Sequence, residues 1–417
     1  MSYTRTLAAI VLAIVGYSSL AVAQPPGGGG PMVVSPEVKA DGRVTFRIRA
    51  PRAERVALDA ADITALYAGG GPGPLAGAAT PAIPPGATMP QTGPVFTKSE
   101  NGIWEAAVGP LPAGAYRYAF QVDGVRVVDP LNRRSVESNA NVWSLLTLAG
   151  SPLMDIREVP HGAVVKVFYY STELKTTRRM HIYTPPGYES GNQKYPVFYL
   201  LHGAGDTDDS WTSVGNAGFI MDNLIAGKKA KPMIVVMPDG HQPGAGLFGA
   251  PPQFTKEFAT DILPYVEKHY RTFADRPHRA IAGLSMGGLQ TMDIAFTHLE
   301  DFAQIGIFSA AADLNVPGRG PAPAPPAAGA RAVTSGPPPL PDFETAHLAD
   351  LDNARLKPGT RLIWLSTGVD DFLLQNTKNT VALLKKHGFD PVFKQTLGGH
   401  TYFNWRNYLV DFAQQLF

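Results

Sequence analysis

The chain has 417 residues, a formal net charge of +1, no cysteine, 43 glycines and 38 prolines. The lack of cysteine excludes a disulfide-stapled scaffold, a cysteine-ligated metal site and a thiol nucleophile, and a charge near zero without a Lys/Arg block gives no electrostatic basis for binding nucleic acid or an anionic membrane. At about 100–200 residues per domain, the length predicts two domains, or one large domain with an added module.

The first residues have the pattern of an export signal. Arg5 supplies a positive charge, Leu7 to Val15 form an apolar stretch, and a small-x-small cleavage site ends at Ala23. The stretch is shorter than the about 20 apolar residues that a membrane-spanning helix needs. The sequence therefore predicts a signal peptide over 1–23, a secreted or periplasmic protein, and a flexible glycine-rich leader over 24–31.

Residues 32–150 have the pattern of an all-β domain. Apolar and polar residues alternate over Val44–Arg49, and more loosely over Trp104–Val108 and Tyr116–Val122, as is typical of strands with one buried face. Short strands separated by turn residues, without a helical period, predict a β-sandwich.

Two connections in this region have distinct compositions. Asp123-Gly124 predicts a two-residue hairpin turn, because a type I′ turn needs a positive φ at both central positions. Residues 69–93 are rich in Gly, Pro and Ala and carry almost no charge, which predicts a disordered insertion.

Several short motifs of the all-β region form a set. They are Ser35–Val38, Val44–Pro51, Asn101–Trp104, Gly109–Tyr118, Val122–Gly124 and Asp129-Pro130. Together they resemble the early-set, immunoglobulin-like domains related to glycogen-recognition modules. The resemblance implies an immunoglobulin-like fold and contact with polysaccharide through this domain. We interpret Trp104 as a core residue rather than a sugar platform, because it lies within a strand pattern.

After a linker over 151–160, the pattern of residues 161–417 changes. Two alternating strands, His161–Tyr170 and Arg178–Thr184, are followed by apolar runs that suit strands covered on both faces. These runs are Val197–Leu201, Met233–Met237, Ala280–Ala282, Ile305–Phe308 and Leu362–Leu365, and Val392–Leu397 is a further predicted strand. Segments of helical period lie between them. This alternation predicts an α/β fold with a mostly parallel sheet and helices on both faces, interrupted by an Ala/Pro/Gly-rich insertion over 316–341.

The motif Gly283-Leu284-Ser285-Met286-Gly287 lies between a predicted strand and a predicted helix. On a sharp strand-to-helix turn the flanking glycines leave room, and the serine Oγ is exposed at the start of the helix. This context predicts that Ser285 is a nucleophile.

A serine nucleophile needs a base, and the base needs an acid that fixes its tautomer. In this fold the acid and then the histidine follow the serine, each after a strand. His400 comes directly after the last predicted strand and is the predicted base. Asp371 is the predicted acid in preference to Asp370, because the last position of the turn Gly368–Asp371 is expected to point into the site.

A tetrahedral oxyanion needs two fixed N–H donors. The backbone N–H of Met286, just after the nucleophile, is one predicted donor. The N–H of Ala204, in the turn after Val197–Leu201, is the second, with Gly203 as the alternative. His202 is interpreted as a residue that holds this turn.

Two aromatic residues are candidates for the substrate pocket. Phe248 lies in a loop expected to overhang the site, where it either stacks on an aromatic acyl group or anchors its own loop. Trp211 follows the oxyanion motif and either lines the pocket or packs in the core. The sequence has no His-Glu-x-x-His motif and no glycine string that opens a nucleotide-binding helix, so neither a metal nor a cofactor is predicted.

The motifs of the carboxyl-terminal region also form a set. They are Arg178–Tyr188, Leu201–Gly205 with Trp211, Asp222–Ile225, Lys231–Val235, Gly283–Gly288, and Gly398–His400 with Trp405-Arg406. Over about residues 155 to 417 they resemble carbohydrate esterase family one, which contains feruloyl and acetyl xylan esterases and is similar to siderophore esterases.

This resemblance implies an α/β-hydrolase that acts as a serine esterase. Feruloyl esterase on plant cell-wall polysaccharide is the favoured function, and acetyl xylan esterase and siderophore esterase remain alternatives. A carbohydrate-binding protein with an inactive hydrolase domain is the non-enzyme alternative.

Overall fold

The computed structural model describes residues 33–60, 62–63, 94–242, 251–312 and 342–417. The predicted signal peptide and leader, the insertions over 69–93 and 316–341, and Phe248 lie outside these ranges. Every helix in them is too short or too polar to cross a bilayer. The described residues from Val34 to Phe417 form one compact unit. Since this unit is not divided at residues 151–160, the linker over these residues stays a prediction.

The described amino-terminal strands form two sheets with antiparallel pairings. The strands are β1 (Glu37–Val38), β2 (Val44–Arg49), β3 (Val56–Asp59), β4 (Thr97–Lys98), β5 (Ile103–Val108), β6 (Gly114–Val122), β7 (Val125–Val127), β8 (Ser135–Glu137) and β9 (Val142–Leu148). One sheet has the order β1-β2-β5-β4, and the other has the order β3-β6-β9-β8 with β7 paired to β6.

The alternation in the sequence explains how these sheets pack. In β5 every second residue is buried, and one core contains Phe46 of β2, Trp104 of β5 and Phe120 of β6. Since these strands come from both sheets, the two sheets pack face to face. The indole of Trp104 lies in this core and donates a 3.0 Å hydrogen bond to the carbonyl of Ala50, as its strand pattern predicts.

The hairpin predicted at Asp123-Gly124 is confirmed. Val122 pairs with Val125 across the two-residue turn, and φ is 48° at Asp123 and 84° at Gly124. The Asp123 carboxylate accepts hydrogen bonds of 2.7 and 3.0 Å from the N–H groups of Arg55 and Glu54, which fixes the turn against the neighbouring loop.

A second group of strands forms an eight-stranded sheet. The strands are β10 (Ala163–Ser171), β11 (Thr176–Thr184), β12 (Val197–Leu201), β13 (Ile234–Pro238), β14 (Arg279–Leu284), β15 (Gln304–Phe308), β16 (Leu362–Gly368) and β17 (Val392–Thr396), in the order β10-β11-β13-β12-β14-β15-β16-β17. Strands β12 to β17 are parallel to one another. Strand β11 is antiparallel to both of its neighbours, so the sheet is mixed, with parallel strands in the majority as the sequence predicts.

Helices cover both faces of this sheet. They are α1 (Ala217–Ala226), α2 (Pro251–Glu257), α3 (Leu263–His269), α4 (Met286–Thr297), α5 (Phe343–Ala346), α6 (Leu348–Leu351), α7 (Leu374–Lys386) and α8 (Tyr402–Ala413), with a π-helical turn, Phe258–Ile262, between α2 and α3. Helices α1 and α8 contribute to one core, and α2, α3, α4 and α7 contribute to the other. The loops after the parallel strands β12, β14, β16 and β17 therefore share one edge of the sheet.

Candidate active site

Ser285 occupies the turn that joins β14 to α4. Its backbone has φ 52° and ψ −117°, a conformation that is strained for a residue with a side chain. Neighbouring groups hold it there: its N–H donates to the carbonyl of Phe308 on β15 (2.9 Å), and its carbonyl accepts from the N–H groups of Gly288 and Leu289 (3.0 and 3.1 Å). Hydrogen bonds to the sheet and to the first turn of α4 thus hold Ser285 in this strained conformation.

Two glycines of the motif allow this turn by their lack of a side chain. A Cβ at Gly283 would lie 2.2 Å from the carbonyl oxygen of Gly287, and a Cβ at Gly287 would lie 2.4 Å from the carbonyl oxygen of His202. Both distances are shorter than any real contact, so α4 approaches β14 and the loop after β12 only because these positions are glycine.

We expect Gly283→Ala to lower the free energy of unfolding by about 1–3 kcal/mol or more, because the added methyl group overlaps a backbone carbonyl that cannot move freely. Gly218→Ala, in α1, is the matched control, since a Cβ at this position would meet its nearest atom, Val164 Cγ2, at 3.5 Å. Thermal unfolding of both variants and the wild type provides the measurement. Equal melting temperatures for the two variants would contradict the close approach at Gly283.

The structure brings His400 and Asp371 to Ser285. His400 Nε2 lies 2.9 Å from Ser285 Oγ, and His400 Nδ1 lies 2.9 Å from Asp371 Oδ2. Since a carboxylate accepts hydrogen bonds, Nδ1 carries the proton and Nε2 is free to accept the serine proton. Asp370 is exposed, and its N–H donates to the carbonyl of Gly398. The structure thus brings the preferred carboxylate, Asp371, to His400.

The Asp371 side chain has no exposed surface. Burial by itself raises the pKa of an aspartate, but the charge of His400 and its hydrogen bond, together with the N–H of Leu373 at 2.9 Å, outweigh it and lower the pKa of Asp371. Asp371 therefore keeps its negative charge at neutral pH and is able to stabilise a protonated His400.

Two aromatic rings contact the imidazole of His400. The centroid of the Phe372 ring lies 4.7 Å from that of the imidazole, and the Trp405 ring lies 4.9 Å away and nearly perpendicular to it. Trp405 is buried in the core. These contacts limit rotation of the imidazole and support the orientation in which Nε2 faces Ser285.

The loop after β12 lies beside the serine. A Cβ on Gly203 would be 3.5 Å from Ser285 Cβ, and the N–H of Gly203 donates to the Asp206 carboxylate at 3.3 Å. Among the described residues, none accepts a hydrogen bond from the N–H of Ala204 or of Met286. The engaged N–H of Gly203 therefore favours Ala204 over Gly203 as the second predicted donor.

His202 holds this loop against the next one. Its Nδ1 donates to the carbonyl of Gly203 (2.8 Å), and its Nε2 accepts from the N–H of Gly240 (2.9 Å). Both ring nitrogens are thus used by backbone groups of two loops, in agreement with the interpretation that this residue is structural.

The prediction that Trp211 lines a substrate pocket is wrong. Its side chain has no exposed surface, its indole N–H donates to the carbonyl of Leu201 at 3.0 Å, and its ring meets the edge of the Tyr402 ring at 5.6 Å. Trp211 is therefore a core residue beneath the loop after β12.

The family model Esterase, described as "Putative esterase", matches residues 171–416. The chain belongs to this esterase family. The match covers the eight-stranded sheet from β11 onward, its helices and the site, and membership places the chain among carboxylic ester hydrolases.

Two individual proteins show which esterases this chain is similar to. The chain is 32% identical over 288 residues to an endo-1,4-beta-xylanase/feruloyl esterase of Xylanibacter ruminicola, in a match that covers 66% of this chain and 36% of that protein. The esterase thus spans about a third of that relative's length. A solved structure of a ferulic acid esterase is 28% identical, with a TM-score of 0.52, over 63% of this chain and 100% of that chain. The resemblance to feruloyl-esterase-like hydrolases is therefore confirmed.

A further solved structure resembles a larger part of this esterase. The enterobactin esterase FES from Shigella flexneri has a TM-score of 0.58 and covers 89% of this chain and 92% of its own, with 16% identity. At that identity the likeness concerns the fold alone.

Three residues near the site of this esterase had no sequence prediction. Phe372 follows the acid and contacts the base, and its position next to Asp371 was the available signal. Asp206 and Tyr402 meet beside the loop after β12, where the Tyr402 hydroxyl donates to Asp206 Oδ2 at 3.3 Å. No sequence pattern joins these two, which are 196 residues apart.

In the described part of this esterase, one group of side chains has the spacing of metal ligands: His298, Glu300 and Asp301. It follows the carboxyl end of α4, whereas Ser285 precedes the amino end of that helix. Asp301 is already paired with Arg279 at 3.1 Å. This group has no geometric connection to the serine site.

Proposed function

We propose that this esterase hydrolyses carboxylic esters with Ser285 as nucleophile, His400 as general base and acid, and Asp371 as the residue that orients and stabilises His400. The observation that supports these roles is the continuous hydrogen-bonded chain from Ser285 Oγ through both ring nitrogens of His400 to Asp371. A hydroxyl is a poor nucleophile until a base removes its proton, and this chain supplies that base in the required tautomer.

The proposed acylation step begins with attack of Ser285 Oγ on the ester carbonyl, while His400 Nε2 takes the hydroxyl proton. The carbonyl oxygen becomes an oxyanion, which the N–H groups of Ala204 and Met286 stabilise. When the tetrahedral intermediate collapses, the bond to the alcohol oxygen breaks, and His400 gives its proton to the departing alcohol. Ser285 is left as an acyl ester.

Deacylation repeats these steps with water as the nucleophile. His400 removes a proton from water as the oxygen attacks the acyl carbonyl, and the same two N–H groups stabilise the second oxyanion. The bond to Ser285 Oγ then breaks, the serine regains the proton from His400, and the carboxylic acid leaves. The cycle uses no cofactor and no metal.

For the substrate, we propose a hydroxycinnamoyl ester on plant cell-wall polysaccharide, which makes the protein a feruloyl esterase. The names of the Xylanibacter ruminicola relative and of the solved ferulic acid esterase support this choice. We also propose that the protein is exported after cleavage near Ala23, and that the amino-terminal sheets form an immunoglobulin-like, early-set domain that contacts polysaccharide.

A catechol siderophore ester is the second candidate substrate. The enterobactin esterase resembles 89% of this chain, whereas the ferulic acid esterase resembles 63%. Because that likeness concerns the fold alone, a siderophore ester is the alternative, and the higher sequence identity of the ferulic acid esterase favours the hydroxycinnamoyl ester. Acetylated xylan is the third substrate to compare.

The deciding experiment measures acid release by the purified protein from methyl ferulate, acetylated xylan and a catechol siderophore, side by side, with a nitrophenyl ester as a general control. We expect kcat/KM for methyl ferulate to exceed that for acetylated xylan and for the siderophore by about tenfold or more, because a site that recognises a hydroxycinnamoyl group would gain binding free energy from the aromatic area that it buries. Fastest release from another substrate would assign that substrate instead. Hydrolysis of none, the nitrophenyl ester included, would favour a carbohydrate-binding protein with an inactive hydrolase fold.

A further inference from the structure

The amino-terminal sheets contact the loop that carries the proposed oxyanion donor. Asn139, in the turn between β8 and β9, donates its backbone N–H to the carbonyl of Gly205 (3.1 Å) and its side-chain amide to the carbonyl of Ala204 (3.4 Å). We call residues Gly203–Asp206 the oxyanion loop. These contacts place part of the amino-terminal region directly against it.

Arg117 of β6 makes a stronger contact with the same loop. Its side chain is 2% exposed, and it bridges two equally buried carboxylates. Its Nη1 donates to Asp206 Oδ1 at 2.7 Å, and its Nε donates to Asp62 Oδ2 at 2.8 Å. Asp62 also accepts the backbone N–H of Arg117 at 3.1 Å, so the guanidinium is fixed from its own sheet.

The Asp206 carboxylate connects Arg117 to residues of the site. Its second oxygen accepts from the N–H of Gly203 and from the hydroxyl of Tyr402, each at 3.3 Å, and its backbone N–H donates to the carbonyl of Gly203 at 3.0 Å. Tyr402 begins α8, two residues after His400. One carboxylate therefore joins the oxyanion loop, the helix after His400 and the amino-terminal Arg117.

We propose that Arg117 is a positioning residue for ester hydrolysis: through Asp206 it holds the oxyanion loop in the conformation that directs the Ala204 N–H at the developing oxyanion. The proposal rests on the proposed function, which assigns that N–H to the oxyanion. It makes the amino-terminal sheets a necessary part of the catalytic unit, in addition to any contact that they make with polysaccharide.

A positioning role and a merely structural role differ in their kinetics. The oxyanion exists only in the transition state and the tetrahedral intermediate, so displacement of its donor lowers kcat and leaves KM nearly unchanged. A trifluoromethyl ketone forms a tetrahedral adduct with a serine nucleophile and carries the same oxyanion. Its affinity is therefore expected to fall in parallel with kcat.

The test uses the full chain and a nitrophenyl ester. For Arg117→Met and Asp206→Asn we expect kcat to fall about 10–100-fold, less than the loss of a whole oxyanion donor, with KM within about twofold. Arg117→Lys is expected to be intermediate, because one ammonium group cannot reproduce the guanidinium fork that reaches both carboxylates. The inhibition constant of the ketone is expected to rise by the same factor as kcat falls.

Arg126→Met is the matched control. Arg126, on β7, pairs with Asp59, and its guanidinium lies 3.9 Å from the centroid of the Trp143 ring. Its replacement removes another arginine–aspartate pair from the same sheet, and neither Asp59 nor Trp143 belongs to the oxyanion loop. We expect this variant to be less stable to heat but to keep the wild-type kcat.

Three results would overturn the proposal: a wild-type kcat in the folded Arg117 or Asp206 variant, a rise in KM alone, or an equal loss of kcat in Arg126→Met. If Arg117→Met does not fold, Asp206→Asn and Arg117→Lys decide the question by the same criteria. Failure of the proposed function gives a different result, because the wild type itself would then hydrolyse no ester or would keep its rate without the Ser285 hydroxyl.

Discussion

Ser285→Ala is expected to lower kcat/KM for any ester substrate by about 10⁴-fold or more. The change removes the oxygen that forms the acyl intermediate and leaves His400 and Asp371 without a nucleophile to activate. The residual rate would be that of water attack assisted by the oxyanion donors. The expected loss is large because the three side chains act as a unit, so removal of one ends the contribution of all.

The measurement is the rate of nitrophenyl ester hydrolysis, with a fluorophosphonate probe as an independent readout. The probe is expected to label one serine of the wild type, located at Ser285 by peptide mass spectrometry, and to leave Ser285→Ala unlabelled. Ser190→Ala is a suitable control, because Ser190 is exposed and donates only to the carbonyl of Gly187. Unchanged hydrolysis by Ser285→Ala would exclude this residue as the nucleophile.

The arrangement of the site could be predicted from the sequence because each of its parts follows a strand. Parallel strands bring their carboxyl ends to one edge, so Ser285, Asp371 and His400 had to approach one another once their strands were identified. The local turn also separated Asp371 from Asp370 correctly. The short connection between β10 and β11 indicates that these two strands are antiparallel. The strand on the other side of β11 could not be predicted, because alternation of polar and apolar residues does not specify a neighbour.

Residues that depend on long-range contacts escaped prediction. For Trp211 the sequence left a pocket wall and the core open, and it did not indicate that the carbonyl of Leu201 accepts the indole N–H, which allows the complete burial of this side chain. Arg117 lies between Tyr116 and Tyr118 in a strand, where alternation indicates an exposed position. It is buried because Asp206, 89 residues later, supplies the opposite charge. Such pairs have no signature in a single sequence.

Asp371→Asn is expected to lower kcat by about 10³–10⁴-fold with little change in KM. The amide can present its NH₂ group to His400 Nδ1, which then has to accept rather than donate. The proton of the neutral imidazole moves to Nε2, and this nitrogen is no longer able to take the proton of Ser285. The variant also lacks the negative charge that stabilises the imidazolium formed during the reaction.

The same carboxylate sets an expectation for the effect of pH. Since the pKa of Asp371 is lowered from its ordinary value of 3.8, its carboxylate is ionised above that value, and its charge is lost only as the pH falls through the lower value of the folded protein. A decline in wild-type activity at mildly acidic pH therefore does not come from protonation of Asp371. In the asparagine variant, no pH is expected to restore the rate.

Asp370→Asn is the control, because it removes a carboxylate from the adjacent position. Asp370 is exposed, and we expect its variant to keep kcat within about twofold, as surface substitutions away from the reacting groups usually do. A larger loss in Asp370→Asn than in Asp371→Asn would show that the acid is misassigned. Both variants lower the negative charge of the same turn by one, so a difference between their rates depends on where the charge lies relative to His400 Nδ1. That difference separates orientation of the imidazole from a general electrostatic effect of the turn.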